Sequence, residues 1–423
     1  MSSLDDIKNE LPEDTRNFIS GVWDNIPTSD RSNLEKLIQK IPIDSRLKYL
    51  AELAQKEYKF AFGKKSHIAI VGPANVGKST LYNQFVHEKK DKAEVGPLPG
   101  TTKENQEADA GLFSLVDTPG ADAVGSSGDV EREQAFEAAA SADLLIIVFD
   151  AIQGIKRAEL ALFTDLKKLN KPYLVVINKS DLIKRHMLAS VLRKAAINLS
   201  LPQDQVIGIS AKDGKNLEKI IAALANLEPE IVAALGSSLP SFRWNLSWQV
   251  IVSAAAASGL IGLLPLPFAD FIPLLLTQAT MIVAISRIFD YTITFSRAKE
   301  LIVTFGIGFI GRTLFAELSK FGGIPGWLLA AAIASSTTVA MGYAAVVWFE
   351  KGEKVTSENL KQITQTLTQY LLSSLKGRFT GRPNINILKE QISLALNKYP
   401  HQEEDLINTE IKIEGTQEKQ SYE

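Results

Sequence analysis

A lysine and a serine stand behind a glycine-rich turn in Gly72-Pro73-Ala74-Asn75-Val76-Gly77-Lys78-Ser79, and this stretch implies chemistry more directly than any other in the chain. Its spacing fits G-x-x-x-x-G-K-[ST]. Glycines let the backbone turn so that consecutive N–H groups, among them those of Val76 and Gly77, converge on phosphate oxygens. A helix opening at that point adds partial positive charge. The Lys78 ammonium would reach the β- and γ-phosphates and the Ser79 hydroxyl would ligate Mg²⁺, with Thr80 the next contact along the helix. An adenine nucleotide would satisfy this turn as well as a guanine nucleotide.

Three further clusters bear on the base. Asp117-Thr118-Pro119-Gly120 ends an apolar run. The acid can hold the Mg²⁺ shell, and the Gly120 amide can approach the γ-phosphate. Asn178-Lys179-Ser180-Asp181 ends another apolar run. The Asp181 carboxylate can accept two hydrogen bonds, from guanine N1–H and the exocyclic amine, a pair that adenine does not offer. Ser210-Ala211-Lys212 follows the next run, where the Ala211 N–H can meet guanine O6. Between the first two clusters lies Pro99-Gly100-Thr101-Thr102-Lys103. Thr102, with Thr101 beside it as the alternative, can close on Mg²⁺ and the γ-phosphate, ordering the loop with GTP and releasing it after hydrolysis. Ala121–Asp129, with Gly125 and Gly128, is the expected second switch segment. Lys78, Thr102 and Gly120 are thus the groups expected on the transferring phosphoryl. No side chain can be assigned as general base, and phosphoryl transfer depends on positioning and charge stabilisation more than on one.

These clusters need a scaffold that brings loops to one edge. Ser66–Val71, Gly111–Val116, Asp143–Phe149, Tyr173–Ile177 and Gln205–Ile209 are short runs of Ile, Val, Leu and Phe. Helical stretches such as Ser79–Glu88, Val130–Ala140, Lys156–Leu169 and Asn216–Asn226 alternate with them. The alternation predicts an α/β fold, a doubly wound and mostly parallel sheet over residues 65–230. Before it, residues 1–64 read as short amphipathic helices separated at Pro42, a packing module in its simplest reading. Residues 231–350 form a hydrophobic helical domain and 351–400 amphipathic helices, for example Leu360, Ile363, Leu367, Tyr370 and Leu371. Residues 401–423 are polar, mostly acidic and expected to be disordered.

The motifs over residues 66–228 resemble the Era/TrmE branch of the translation-factor class of small GTPases. The resemblance implies a P-loop GTPase domain that binds GTP and GDP with Mg²⁺. Asn75 sits where potassium-stimulated members of that branch place an asparagine that helps to hold K⁺ by the phosphates. Ala121 stands where Ras-like proteins carry a water-orienting glutamine, which implies slow intrinsic turnover. A loop hydrogen bond alone would equally account for Asn75.

Composition bounds the rest. A length of 423 residues suits two or three domains. The 45% apolar content supports a core, and a net charge of −2 gives no basic field, so no nucleic acid is expected. The absence of cysteine excludes disulfides and thiolate chemistry. His67, His87, His186 and His401 are too scattered to read as a metal site. The start has no basic, apolar leader, so the N-terminal half is expected to stay cytoplasmic.

Trp244–Ala269 and Phe321–Phe349 carry no charged residue, runs of about 26 and 29 residues where roughly 20 suffice to cross a bilayer. Trp244, Trp248, Trp327 and Trp348 lie near their ends, as interfacial anchors would. A buried core of a soluble bundle would have the same composition. The turn Pro265-Leu266-Pro267-Phe268-Ala269-Asp270 between apolar helices is similar to that of the YcjF-type family, whose C-terminal domain has no known function and is described as membrane-spanning. The resemblance implies membrane lipid as a partner, a bacterial inner-membrane location, and a G domain and termini on the cytoplasmic side. Arg243, Lys351 and Lys354 suit cytoplasmic flanks and an even number of crossings. The favoured expectation is a membrane-associated GTPase switch acting on an unidentified effector protein, with room for a homo-oligomer. A dynamin-like or immunity-related remodelling GTPase is the second expectation. A soluble ribosome-assembly GTPase is the third, and it calls for an RNA-binding module with a basic face or a Gly-x-x-Gly clamp, of which the C-terminal half shows no basic face.

Overall fold

The computed structural model describes residues 59–65, 67–85, 112–117, 136–262, 271–291, 293, 298, 301–302, 324–379 and 383–399. The amphipathic stretches before residue 59, the switch segments with Thr101, Thr102, Gly120 and Ala121, the Pro265–Asp270 turn and the tail after Tyr399 lie outside them. The chain divides into two units. The first holds described residues from 59 to 250 and from 279 to 298, and the second those from 251 to 278 and beyond 299.

The first unit is built on five parallel strands in the order β2-β1-β3-β4-β5: β1 Ile68–Gly72, β2 Phe113–Asp117, β3 Leu144–Asp150, β4 Tyr173–Asn178 and β5 Val206–Gly208. Every residue of β1 and β3 is buried, which explains why both read as continuous apolar runs rather than alternating ones. The described helices are α1 Lys78–Phe85, α2 Arg157–Lys167, α3 Arg185–Leu199, α4 Leu217–Leu227 and α5 Val232–Ser238. Phe163 and Leu166 of α2 and Ala195, Ala196 and Leu199 of α3 share one core with Val71, Ile147, Val175 and Ile177. On α1 and α4, which pack on β1, β2 and β4, Leu81, Ile220, Ile221 and Leu224 are fully buried. The α/β sheet with flanking helices is the architecture read from the sequence.

The strands β1 to β4 run one residue further toward their carboxyl ends than the apolar runs do. Gly72 pairs with Asp117 in register, and Asp150 with Asn178. The ladder therefore extends through the residues that end each run, and these four residues stand together at one sheet edge. Apolar content could not mark this boundary, because Asp150 and Asn178 are polar yet buried.

The opposite edge is tied down locally. Gly63 lies so close to the Glu230 backbone that an added Cβ would come within 2.2 Å of it. The Lys65 ammonium donates to Glu228 at 2.7 Å, and that hydrogen bond, with the negative charge behind it, raises the Lys65 pKa above 10.5. Arg287 donates to the Ala61 carbonyl at 2.6 Å.

The remaining helices are α6 Arg243–Ile261, α7 Phe271–Ile288, α8 Gly326–Lys351, α9 Ser357–Leu375 and α10 Ile385–Lys398. In the second unit, α8 packs along α9 and meets the end of α6 closely: a Cβ on Gly259 would lie 2.4 Å from Ser335 Oγ. Thr356 caps α9 by accepting from the Asn359 amide, and Asn384 caps α10 by accepting from that of Asn386. Leu360, Ile363, Leu367 and Leu371 are buried, as their helical spacing predicts, while Tyr370 is half-buried with its hydroxyl on the Ala395 carbonyl. Among the described residues one helix, Gly326–Lys351, is long and apolar enough to cross a membrane, and 94% of its most apolar window is buried inside the protein.

Candidate functional site: the carboxyl edge of the sheet

The phosphate-loop residues leave β1 at Gly72, whose Cα sits against the next strand: a Cβ there would meet the Val148 carbonyl at 2.3 Å. The loop then takes two left-handed residues, Asn75 at φ 62° and Gly77 at φ 92°. For Gly77 the requirement is double, because a Cβ would also strike Asn178 Nδ2 at 2.3 Å. After Gly77 the chain enters α1, so the loop amides and the helix N-terminus share one concave turn. Lys78 is only 4% exposed, and its ammonium bends back to donate to the carbonyls of Gly72 and Pro73, each at 2.7 Å. A cation held over its own loop is positioned to donate to phosphate oxygens in exchange for these carbonyls. Ser79 and Thr80 follow in the first turn, both partly exposed.

Asn178 connects three of the four clusters. It is 3% exposed; its amide nitrogen donates to the Val76 carbonyl at 2.8 Å, and its side-chain oxygen accepts from the Ala211 amide at 2.9 Å. One side chain thus fixes the phosphate loop, the end of β4 and the loop after β5 to each other. Lys179 adopts φ 64°, an uncommon conformation for a side-chain-bearing residue, and its ammonium donates to the Asn75 carbonyl and to Asp150, each at 2.6 Å. Ser180 donates its amide to the Ile209 carbonyl, and Asp181, next along the same single helical turn, projects an exposed side chain.

The last loop is braced at both ends. Ser210 and Lys215 pair in a short bridge, and the Ser210 hydroxyl exchanges hydrogen bonds with Asp213. Ala211 is buried, and its carbonyl accepts from Gln84 Nε2 of α1 at 2.7 Å. Lys212 is exposed. Asp117 ends β2 beside Gly72.

The described candidates from Gly72 to Lys212 therefore lie on strand ends, loops and the first turn of α1 at one edge, whereas Thr102 and Gly120 fall outside the described residues. Two participants escaped the sequence reading. Asp150 is a buried acid ending an apolar run, and only the strand register shows that it stands at the level of Asn178. Gln84 gave no signal, because its partner is a distant main-chain carbonyl.

Residues 67–179 match the family described as 50S ribosome-binding GTPase, and residues 245–376 match a domain of unknown function, DUF697. A protein named GTPase Der from Nitrobacter hamburgensis is 37% identical over 170 residues, covering 38% of this chain and 35% of that protein. A GTPase Der from Clostridium botulinum is 31% identical over 169 residues, covering 37% of this chain and 38% of its own. The similarity spans little more than a third of these relatives' length. Among solved structures, Aquifex aeolicus Era bound to GDP and AlF4⁻ is 25% identical and covers 46% of this chain and 67% of that one, with a TM-score of 0.34. The relatives named here are Der-type proteins and lend nothing to the dynamin-like expectation. Residues 67–179 are thus similar to the ribosome-binding GTPase family and residues 245–376 to DUF697, the YcjF-type arrangement that the Pro265–Asp270 turn resembles.

Proposed function

We propose that this chain binds GTP and GDP at the carboxyl edge of its sheet and hydrolyses GTP as a conformational switch. The observation that carries the reading is the Asn178 side chain, which joins the phosphate loop, the base-reading turn and the Ala211 loop through two hydrogen bonds. An edge that held only phosphate would not need the second and third loops. Lys78 and the loop amides neutralise the phosphates and Asp181 reads the guanine edge, while the Ala211 amide is given to Asn178 Oδ1 and braces the loop beside the base. The register of Gly72 with Asp117 supports a role for Ser79, Thr102 and Asp117 in holding Mg²⁺. That ion, when bound, offsets charge on the β- and γ-oxygens. Thr102 and Gly120 act at the γ-phosphate and report its loss.

K⁺ beside Asn75 completes the charge stabilisation in this reading. Asn75 is exposed and held in a left-handed turn, which leaves its side chain turned away from the core. Phosphate release by the full chain, measured with Mg²⁺ in KCl and in NaCl, tests both points. The expected result is GTP turnover that is faster in KCl. Equal rates remove the K⁺ role, and no turnover in either salt removes the hydrolytic function.

The second part of the proposal is attachment to the bacterial inner membrane through the DUF697 region, with the GTPase domain and both termini on the cytoplasmic side. It is supported by the uncharged run Phe321–Phe349 and by a mean hydropathy of 1.5 over the most apolar 18-residue window of α8. Cell fractionation with a carbonate wash tests it. Retention of the full chain in the pellet, with release of a chain ending at Glu228, is the expected result, and a fully soluble full chain would contradict it. The family description of ribosome binding favours the alternative of a ribosome-assembly GTPase. Co-sedimentation of the full chain with large ribosomal subunits in GTP would support that alternative instead.

A further inference from the structure

We propose that Asp150 is a positioning residue for Lys179 and that this pair locks the base-reading turn against the phosphate loop. The inference rests on the reading of this edge as a guanine-nucleotide site. Asp150 is the last residue of β3 and is 4% exposed. Its Oδ1 accepts from the Ile152 amide at 2.7 Å and the Gln153 amide at 3.4 Å, and its Oδ2 accepts from Lys179 Nζ at 2.6 Å. The two amides belong to the tight turn after β3, so the carboxylate is fixed by its own loop before it meets Lys179. A buried carboxylate needs such partners, because an unpaired charge there costs several kcal/mol.

Lysine is a flexible point charge, and it holds a defined place only when its ammonium is anchored. Here the anchor is across a strand boundary: Asp150 and Asn178 are register partners, and Lys179 follows Asn178 directly. With Oδ2 on one side, the ammonium spends a second hydrogen bond on the Asn75 carbonyl at 2.6 Å. The chain Asp150–Lys179–Asn75 therefore runs from the end of β3 through the base-reading turn to the phosphate loop. It lies parallel to the Asn178 bridge and supplies charge where that bridge supplies neutral hydrogen bonds. Lys78 already sits on the carbonyls of Gly72 and Pro73, so two ammoniums face one short loop and Asp150 holds one of them away from the phosphate position.

Asp150→Asn preserves size and the acceptor for the turn amides while removing the charge that holds Lys179. Loss of this preorganisation should weaken GDP and GTP together, by about ten- to a hundredfold and mostly through faster release. Preference for guanine over xanthine should not move, because Asp181 is untouched.

The test is equilibrium binding and release of fluorescent GDP with Mg²⁺ from the full chain, comparing wild type with Asp150→Asn, Lys179→Met, the double variant and Asp150→Glu. The expected result is fast release from each single substitution, a double variant no weaker than the worse single one, and partial recovery with Asp150→Glu. Asp150→Asn within twofold of wild type overturns the proposal, as do single losses that multiply in the double variant. Should Asp150→Asn fail to fold, Lys179→Met carries the test, and unchanged release from it overturns the proposal. Wild type that does not bind GDP overturns the nucleotide reading and this inference with it, whereas wild-type binding with unaltered Asp150→Asn overturns the inference alone.

Discussion

The two units bury polar side chains in opposite ways. At the sheet edge, Lys179 and Asn178 reach partners 104 and 102 residues away in sequence, Asn75 and Val76. In the helical unit, Ser336, Thr337, Thr338, Thr364 and Thr368 each return their hydroxyl to the carbonyl four residues earlier in their own helix. Ser335 and Gln278 cross between helices, to the Ala255 carbonyl and the Thr338 hydroxyl. A polar group that bonds its own turn asks nothing of distant chain and is compatible with any apolar surrounding. Polar groups that bond across loops fix those loops relative to each other, and that is what a ligand site requires. The sheet edge is therefore organised for recognition, and the helices for packing.

This contrast can be broken by substitution. The largest effect is expected from Lys78→Ala, which removes the only buried ammonium among the described residues of the phosphate loop and should lower GDP affinity by roughly a hundredfold or more, on the order of 3 kcal/mol. Titration calorimetry would register it, and a loss below about fivefold would contradict the site. Asp181→Asn should act on identity rather than strength: competition assays should show weaker guanine and better xanthine nucleotide binding, with discrimination shifted by about 1–3 kcal/mol. Unchanged base preference would detach Asp181 from the base.

In the second unit, Gly259→Val should overpack the contact with Ser335 and Ile392 and lower stability by about 1–3 kcal/mol, visible as a reduced Tm. GDP affinity should stay within twofold, and a parallel loss of affinity would contradict the division between the units. Thr364→Val should cost less still, about 1 kcal/mol at most, since the hydroxyl serves only its own helix. The smallest effect concerns Lys65. Its pKa is raised in the folded state, so its contribution is complete below pH 10.5 and is lost as pH rises through the higher folded value. Lys65→Met should flatten the alkaline end of the stability profile and leave it unchanged near neutrality.

Legibility in the sequence followed the same division. The five strands, their mostly parallel arrangement and the loops holding Gly72, Asn178 and Ala211 could be read because glycine-rich and Asn-Lys-x-Asp spacings carry their geometry with them. Asp150 is not legible in this way, because a lone acid at the end of an apolar run resembles an ordinary strand terminus until register sets it beside Asn178. Helix α3 gave a weak apolar signal, since it buries only Ala195, Ala196 and Leu199. For α8, an uncharged run reads alike whether lipid or protein surrounds it, and 94% burial of its apolar window inside the protein shows how far helix packing alone can account for that composition.

The central claim is that the carboxyl edge selects a guanine nucleotide. Equilibrium binding of fluorescent GDP to the purified full chain with Mg²⁺, challenged with unlabelled GTP and then ATP, tests it most directly. Tight binding that GTP displaces and a large excess of ATP leaves intact is expected. No binding, or displacement by ATP as effective as by GTP, would contradict it.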